Sequence, residues 1–326
     1  MIPTRSVIIA AFLVFMTNIA FSQRGKEGDF TVTGANTIVN TYTSLTANAA
    51  AGGSSITVAN NTMVGGAFGG ALQAGDLLLI IQMQGATLDI NTVPVVFWGG
   101  NYTVPNDYIT GVFGANPHYW GRVIGFGNAG KFEKVEVFST SAGGVINLNC
   151  TLQNDYTASG HVQVVRIARY NNLTVNAGAS IVPTLWDGSS GGIVGLEVSG
   201  NLTINATGEI SASEAGFRGG ALDPTNSFSG NTTLPTPRAL GTSDSQEGSE
   251  KGEGIGGFYA ELDPLFSRYG IGAPANGGGG GGYQNTGGGG GSNVVLGAYT
   301  GNGTPQGFAA IWNLEAAGFG LSLINI

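Results

Sequence analysis

The phrase "NLTVNAGASI" at Asn172–Ile181 returns as "NLTINATGEI" at Asn201–Ile210. The period, from Asn172 to Asn201, is too short for a domain and matches one supersecondary unit, the coil of a β-solenoid. In-register stacking of two such coils would set Leu173 on Leu202, Val175 on Ile204 and Ile181 on Ile210, giving a continuous apolar spine. Between the copies lies "GGIVGLEVSG", a further strand candidate. A pair of similar strands within a sandwich is the plainer alternative, and two copies leave both open. A flat threonine face for ice or a mineral ranks last, because only Thr174 and Thr203 line up.

Upstream of the repeat the text changes character. "AGDLLLIIQMQG", "FEKVEVFST", "GGVINLNCTL" and "HVQVVRIARY" are short runs rich in Val, Ile and Leu, bounded by Gly and Asn, as in an all-β chain. "LLLIIQM" is apolar on both faces and reads as a central strand. In "KFEKVEVF", Phe132, Val135 and Val137 share one side imperfectly. In "HVQVVRIARY", Val162, Val164 and Ile167 face inward and leave Arg166 and Arg169 outside. Residues 23–170 are therefore expected to form a β-sandwich, and Cys150, alternating with apolar neighbours, to be buried. A single cysteine allows no internal disulfide, so stability must come from packing and ladder hydrogen bonds.

Downstream of residue 222 the chain becomes poor in apolar residues and then runs into "ANGGGGGGYQNTGGGGGSN" at 275–293. Glycine fills 58 of the 326 positions, while charged residues make up only 10%. A slack tether would carry more serine and would join two domains. Here packable phrases, "GFYAELDPLFSRYGIG" and "NVVLGAYTGNG", flank the runs, so closely packed glycine-rich backbone is the other reading. There is no Gly-X-Y period, which excludes collagen.

The stretch Met1–Ser22 carries one positive charge, Arg5, an apolar run from Val7 to Met16, and small residues Ala20 and Ser22 before Gln23. This is the pattern of a cleavable secretory signal, and the apolar run is too short to cross a hydrocarbon core of about 30 Å. No later segment is long and apolar enough to span a membrane either. The formal net charge is −8 and grows more negative once Arg5 leaves, which argues against nucleic acid and anionic lipid as ligands.

Motifs for chemistry are sparse. His118 and His161 belong to no metal-ligand spacing, there is no G-x-S-x-G, and no glycine run ends in a phosphate-loop lysine. No cofactor and no metal are expected. The acidic run Asp244, Glu247, Glu250, Glu253 lacks the calcium-loop pattern and reads as a solvated loop. A catalytic reading would use Asp187 with Glu214 and Arg218, flanked by Glu197 and Glu209, as the acid and base of a solenoid polysaccharide lyase or glycosidase. The bland reading makes Asp187–Gly188 a turn and Glu214–Arg218 a surface ion pair. For binding, "VVFWGGNYTV" and "ANPHYWGR" place Trp98, Tyr102, Tyr119 and Trp120 among loop residues, where rings stack on sugars or docked surfaces, although core packing is their commoner fate. Eight N-x-[ST] sequons largely follow from strand and turn composition.

The ending "FSQ", the opening "GDFTVTGANTIVNTYTSLTANAAAGGSSITV", "AGDLLLIIQMQGA", "VVRIARYNNLTVNAGASI" and "GGGGGGYQNTGGGGGSN…GFAAIWNLEAAGF" together resemble the N-terminal part of large secreted surface proteins of Bacteroidetes, of the gliding-motility adhesin type exported by type IX secretion. That resemblance implies an extracellular, surface-attached adhesin with repeated β modules, and contact with outer-membrane secretion machinery. The family's C-terminal sorting domain has no counterpart in the closing "GFGLSLINI", which reads as the mark of a fragment.

The expectation is an all-β chain: a signal peptide at 1–22, an N-terminal β-sandwich at 23–170 and a β-solenoid-like region at 171–222. A glycine-rich insertion at 223–326 continues the solenoid and is truncated. The expected role is a secreted cell-surface adhesin or structural module touching glycans or surfaces, with the solenoid lyase or glycosidase as the alternative.

Overall fold

The computed structural model describes residues 24–88, 123–220, 252–257 and 276–278. The signal sequence, Trp98, Tyr102, Tyr119, Trp120 and most of the glycine block lie outside the described residues.

The fold is all-β, as expected. In chain order the strands are β1 (Phe30–Val32), β2 (Thr41–Ser44), β3 (Ser55–Thr57), β4 (Leu77–Gln82), β5 (Thr87–Leu88), β6 (Val123–Gly125) and β7 (Phe132–Ser141). There follow β8 (Val145–Leu148), β9 (Val162–Tyr170), β10 (Leu173–Val175), β11 (Ser180–Ile181), β12 (Leu196–Val198), β13 (Leu202–Ile204) and β14 (Glu209–Ile210).

The largest sheet has the order β12-β9-β4-β7-β8-β3, with β2 also paired to β9. Its two ends meet. Leu45 and Val58 form an antiparallel bridge just beyond β2 and β3, where Thr46 N donates to Thr57 O and Ala59 N to Ser44 O. The antiparallel sheet thus curls until its halves face one another across a shared core, and the edges of β2 and β3 are covered rather than left as templates for association. Alternation along each strand fills that core: Leu78 and Ile80 of β4, Val135 and Val137 of β7, Ile146 of β8, Val162 and Val164 of β9. On the other face Leu79, Ile81, Val165 and Ile167 are covered by Ile193 and Tyr42. This explains why "LLLIIQ" is apolar throughout: β4 lies between β7 and β9 and is enclosed on both faces.

The hairpin from β7 to β8 turns on Gly143 and Gly144, both with positive φ (75° and 77°). Positive φ at both positions favours glycine, which has no Cβ to strain there. A Cβ on Gly144 would also fall inside the contact distance of the Val58 carbonyl oxygen. Gly144→Ala is therefore expected to lower stability by about 1–3 kcal/mol from the backbone conformation alone. A denaturation midpoint unchanged from wild type would refute this.

The repeat forms a parallel stack. β10 pairs with β13 in the register Leu173↔Leu202, Thr174↔Thr203, Val175↔Ile204, and β11 pairs with β14 through Ile181↔Ile210. The apolar spine read from the repeat is present position for position. A third layer comes from an unexpected place: β1, within the span assigned to the sandwich, pairs in parallel with β10 through Phe30↔Leu173, Thr31↔Thr174 and Val32↔Val175. Thr37 bridges Ile181 in the same sense. The first coil therefore lies before the curled sheet in sequence, and the second and third lie after it. Val32, Leu173, Val175 and Ile181 are at most 1% exposed in this interior, and full burial of each such side chain contributes about 1.5–3 kcal/mol.

Five side chains depart from expectation, the first being Ile167, which strand alternation turns to the face opposite Val162 and Val164. Arg166 and Arg169 are buried on opposite faces of β9: Arg166 shares the face of Val162 and Val164, where it donates to Met63 O and Gly70 O, and Arg169 lies on the face of Val165 and Ile167. Arg166 pairs with Asp76 at 2.7 Å and lies 4.0 Å from the Phe68 ring centroid. Arg169 pairs with Glu136 at 2.8 Å and also with Glu197. Cys150 is exposed, since β8 ends at Leu148 and the chain bends there, out of the strand alternation. Phe132 is exposed too, on the outer side of β7, opposite the face that buries Val135 and Val137.

β9 unites the two parts. Its first residues pair with β4 and β2, and its last, Ala168–Tyr170, pair in parallel with β12. Side-chain amides reinforce the seam: Gln163 exchanges two hydrogen bonds with the backbone of Gly191, and Asn40 binds Arg166 O and both polar groups of Gly195.

Of the glycine block, Asn276, Gly277 and Gly278 are described, and all three are buried. Gly252 N donates to Gly278 O, and Asn276 Oδ1 accepts from Ile255 N. Cβ atoms on Gly252, Gly254 or Gly277 would collide with the facing backbone. Glycine here serves close backbone approach.

Candidate functional site

Of the residues considered for catalysis, Asp187, Glu197 and Arg218 are engaged in local structure, while Glu209 and Glu214 are exposed. Asp187 is exposed, and its Oδ1 accepts from the backbone N–H groups of Ser189 and Ser190, closing a turn at 2.7 and 2.8 Å. Glu214 is exposed on a residue with φ 61°. Arg218 meets the carboxylate of Glu253, with Nε at 2.9 Å, and its Nη1 donates to the backbone oxygen of Asp187. Glu197 is held by Arg169 and faces Arg24, while Glu209 is exposed on β14.

The acidic run is corrected at its last member. Glu253 is not solvated: its side chain is fully buried. It accepts hydrogen bonds from Gln84 Nε2 (2.7 Å), Trp186 Nε1 (2.8 Å) and the backbone and guanidinium of Arg218. A carboxylate so fully used as an acceptor ties the 252–257 segment to β4's exit and to the coil. Asp244, Glu247 and Glu250 lie outside the described residues. Among the described residues no group of three or more His, Cys, Asp or Glu side chains is placed to hold a metal ion.

A different surface emerges from the coil stack. Inward alternation of Leu173 and Val175 turns Thr174 outward, and the register brings Thr31 and Thr203 to either side of it. Parallel strands stand about 4.8 Å apart, so the three hydroxyls form an evenly spaced column across the sheet. Amide columns flank it. Asp29 Oδ1 accepts from Asn172 Nδ2 at 2.9 Å, and Asn172 Oδ1 accepts from Asn201 N at 2.9 Å. On the other side Asn205 Nδ2 donates to Asn176 Oδ1 at 3.4 Å. Thr31 and Thr203 are exposed, and Thr174 is half-buried between them.

The face is nearly uncharged. Its carboxylate, Asp29, is held below the ordinary carboxylate range by hydrogen bonds from Asn171 and then Asn172. Hydroxyl and amide groups each donate and accept, so the surface suits a ligand offering repeated neutral hydroxyls more than an anion. Thr31 and Asp29 escape a sequence reading because Asp29 and Asn172 lie far apart in the chain, on either side of the curled sheet. The signal that could find them is the shared phrase D/N-x-T-x-[TN] at 29–33, 172–176 and 201–205.

No protein-family model matches the chain, and no curated protein is significantly similar to it in sequence. Among solved structures, the tailspike of Acinetobacter baumannii bacteriophage AP22, in complex with A. baumannii capsular saccharide, aligns at 17% identity over 56% of this chain and 26% of its own, with a TM-score of 0.22. The Pseudomonas phage phi297 tailspike aligns at 12% identity over 56% of this chain and 25% of its own, TM-score 0.21. That of Pseudomonas phage LKA1 aligns at 14% over 48% and 27%, TM-score 0.20. The chain thus spans about a quarter of the length of each. Overlaps at this level establish neither a shared fold nor a shared activity.

Proposed function

We propose that this chain is a secreted cell-surface module of the adhesin type, in which a rigid coil stack displays a polar ladder to hydroxyl-rich, neutral glycans. The observation that carries the reading is the in-register column Thr31–Thr174–Thr203 with its flanking amides. Each contact of this kind is weak, and repetition on a rigid array gives avidity. Trp98, Tyr102, Tyr119 and Trp120 add candidate stacking surfaces in this reading. Export through a cleaved signal and an outer-membrane type IX route is part of the proposal, resting on Met1–Ser22 and on the family resemblance. No helix among the described residues is long and apolar enough to cross a membrane.

The test is retention on immobilised neutral polysaccharides. Wild type is expected to be retained, and Thr31→Val, Thr174→Val, Thr203→Val together to reduce retention at least tenfold with the fold intact, a loss of about 1.4 kcal/mol. Retention unchanged in the triple variant would refute the ladder, and release of new reducing ends by wild type would point to a hydrolase or lyase instead.

A further inference from the structure

The two ends of the coil stack are finished differently. At the first coil, Val32 and Val39 are 1% exposed, because Ala67 and Phe68 from the curled sheet close over them and Ala67 N donates to Val39 O at 3.1 Å. At the third coil, Leu202 is 48% and Ile204 47% exposed, although each stacks in register on a residue that is 0% exposed. The backbone is open there as well. Asn201 O accepts from Leu173 N and Asn205 N donates to Val175 O. Strand alternation therefore turns the N–H groups of Leu202 and Ile204 toward the other edge of β13, which pairs with no strand among the described residues. A solenoid end that is both apolar and open calls for another coil or a cap.

We propose that Asn293–Ala298 of this same chain, outside the described residues, supplies that next rung. "NVVLGA" repeats the pattern of "NLTVNA" and "NLTINA": Asn first, apolar residues second and fourth, Ala sixth. In the coil register this sets Val294 on Leu202 and Leu296 on Ile204. The stretch 279–326 is longer than one coil, which runs from Asn172 to Asn201. A long excursion between successive coils has a precedent in the chain, since the whole curled sheet lies between β1 and β10. Covering the face would bury apolar side chains and satisfy the edge donors together.

Amide hydrogen exchange on the full chain tests this. The Leu202 and Ile204 amides are expected to be protected, and Val294→Asp with Leu296→Asp to speed their exchange on the order of a hundredfold, while Leu173 and Val175 keep their protection. Exchange of Leu202 and Ile204 at the unprotected rate in wild type would overturn the proposal. So would protection that survives the double substitution, and protection that rises with protein concentration would assign the face to a second copy instead.

Discussion

Asp76→Ala is expected to lower the stability of this protein by about 3–5 kcal/mol, the cost of leaving a buried cation without its counter-ion. Asp76 is 2% exposed and accepts from Gln73 N at 2.8 Å, from Arg166 Nη2 at 2.7 Å and from Lys26. Arg166 has little recourse: Nη1 already donates to Met63 O and Gly70 O, and its Nε is buried with no partner among the described residues. Burial pulls the Arg166 pKa down from its ordinary value, but a guanidinium does not shed its proton to relieve the cost. The check is the denaturant midpoint at constant slope.

Glu27 in the same junction behaves oppositely. Burial raises its pKa, partly offset by the hydrogen bond from Arg169 N, and Asp76 raises it further. A carboxylate whose folded pKa lies above its unfolded value gains relative stability as pH falls through that range, so Glu27 does not drive acid unfolding. Glu27→Gln keeps an acceptor for Arg169 N and is expected to cost far less than Asp76→Ala. Asp29, with its lowered pKa, has the contrary sign: its contribution is present above the unfolded pKa and is lost as pH falls through the folded one.

Leu173→Ala is the second large effect, at about 2–5 kcal/mol. Leu173 is 0% exposed and lies between Phe30 and Leu202 in the stack. Truncation opens a cavity in the middle of the spine, which rigid strand neighbours on both sides fill poorly. Leu185→Ala removes the same atoms from a site 64% exposed and is expected to cost less than half as much. Equal losses at the two positions would contradict the burial of the spine.

The coil register was legible because identical phrases at a fixed spacing must repeat their packing: Leu173, Val175 and Ile181 each name their partner in the next copy. The central place of β4 was legible from its unbroken apolar run. What stayed hidden depends on contacts distant in sequence. β1 looks like any short strand until it meets β10, and the ladder lacks Thr31 until then. Arg166 and Arg169 look solvent-facing because a strand pattern does not reveal that carboxylates from Asp76, Glu136 and Glu197 will converge on them. Glu253 reads as one more acid in a polar run, and only Gln84, Trp186 and Arg218 make it a buried hub.

In the proposed function the outward coil face is the contact surface. Amide chemical-shift mapping, as a neutral oligosaccharide retained by the protein is added, tests it most directly. The shifts are expected to cluster at Thr31, Thr174, Thr203 and the neighbouring Asn172, Asn176, Asn201 and Asn205. Shifts confined to Asp187, Glu214 and Arg218, with the ladder silent, would contradict it.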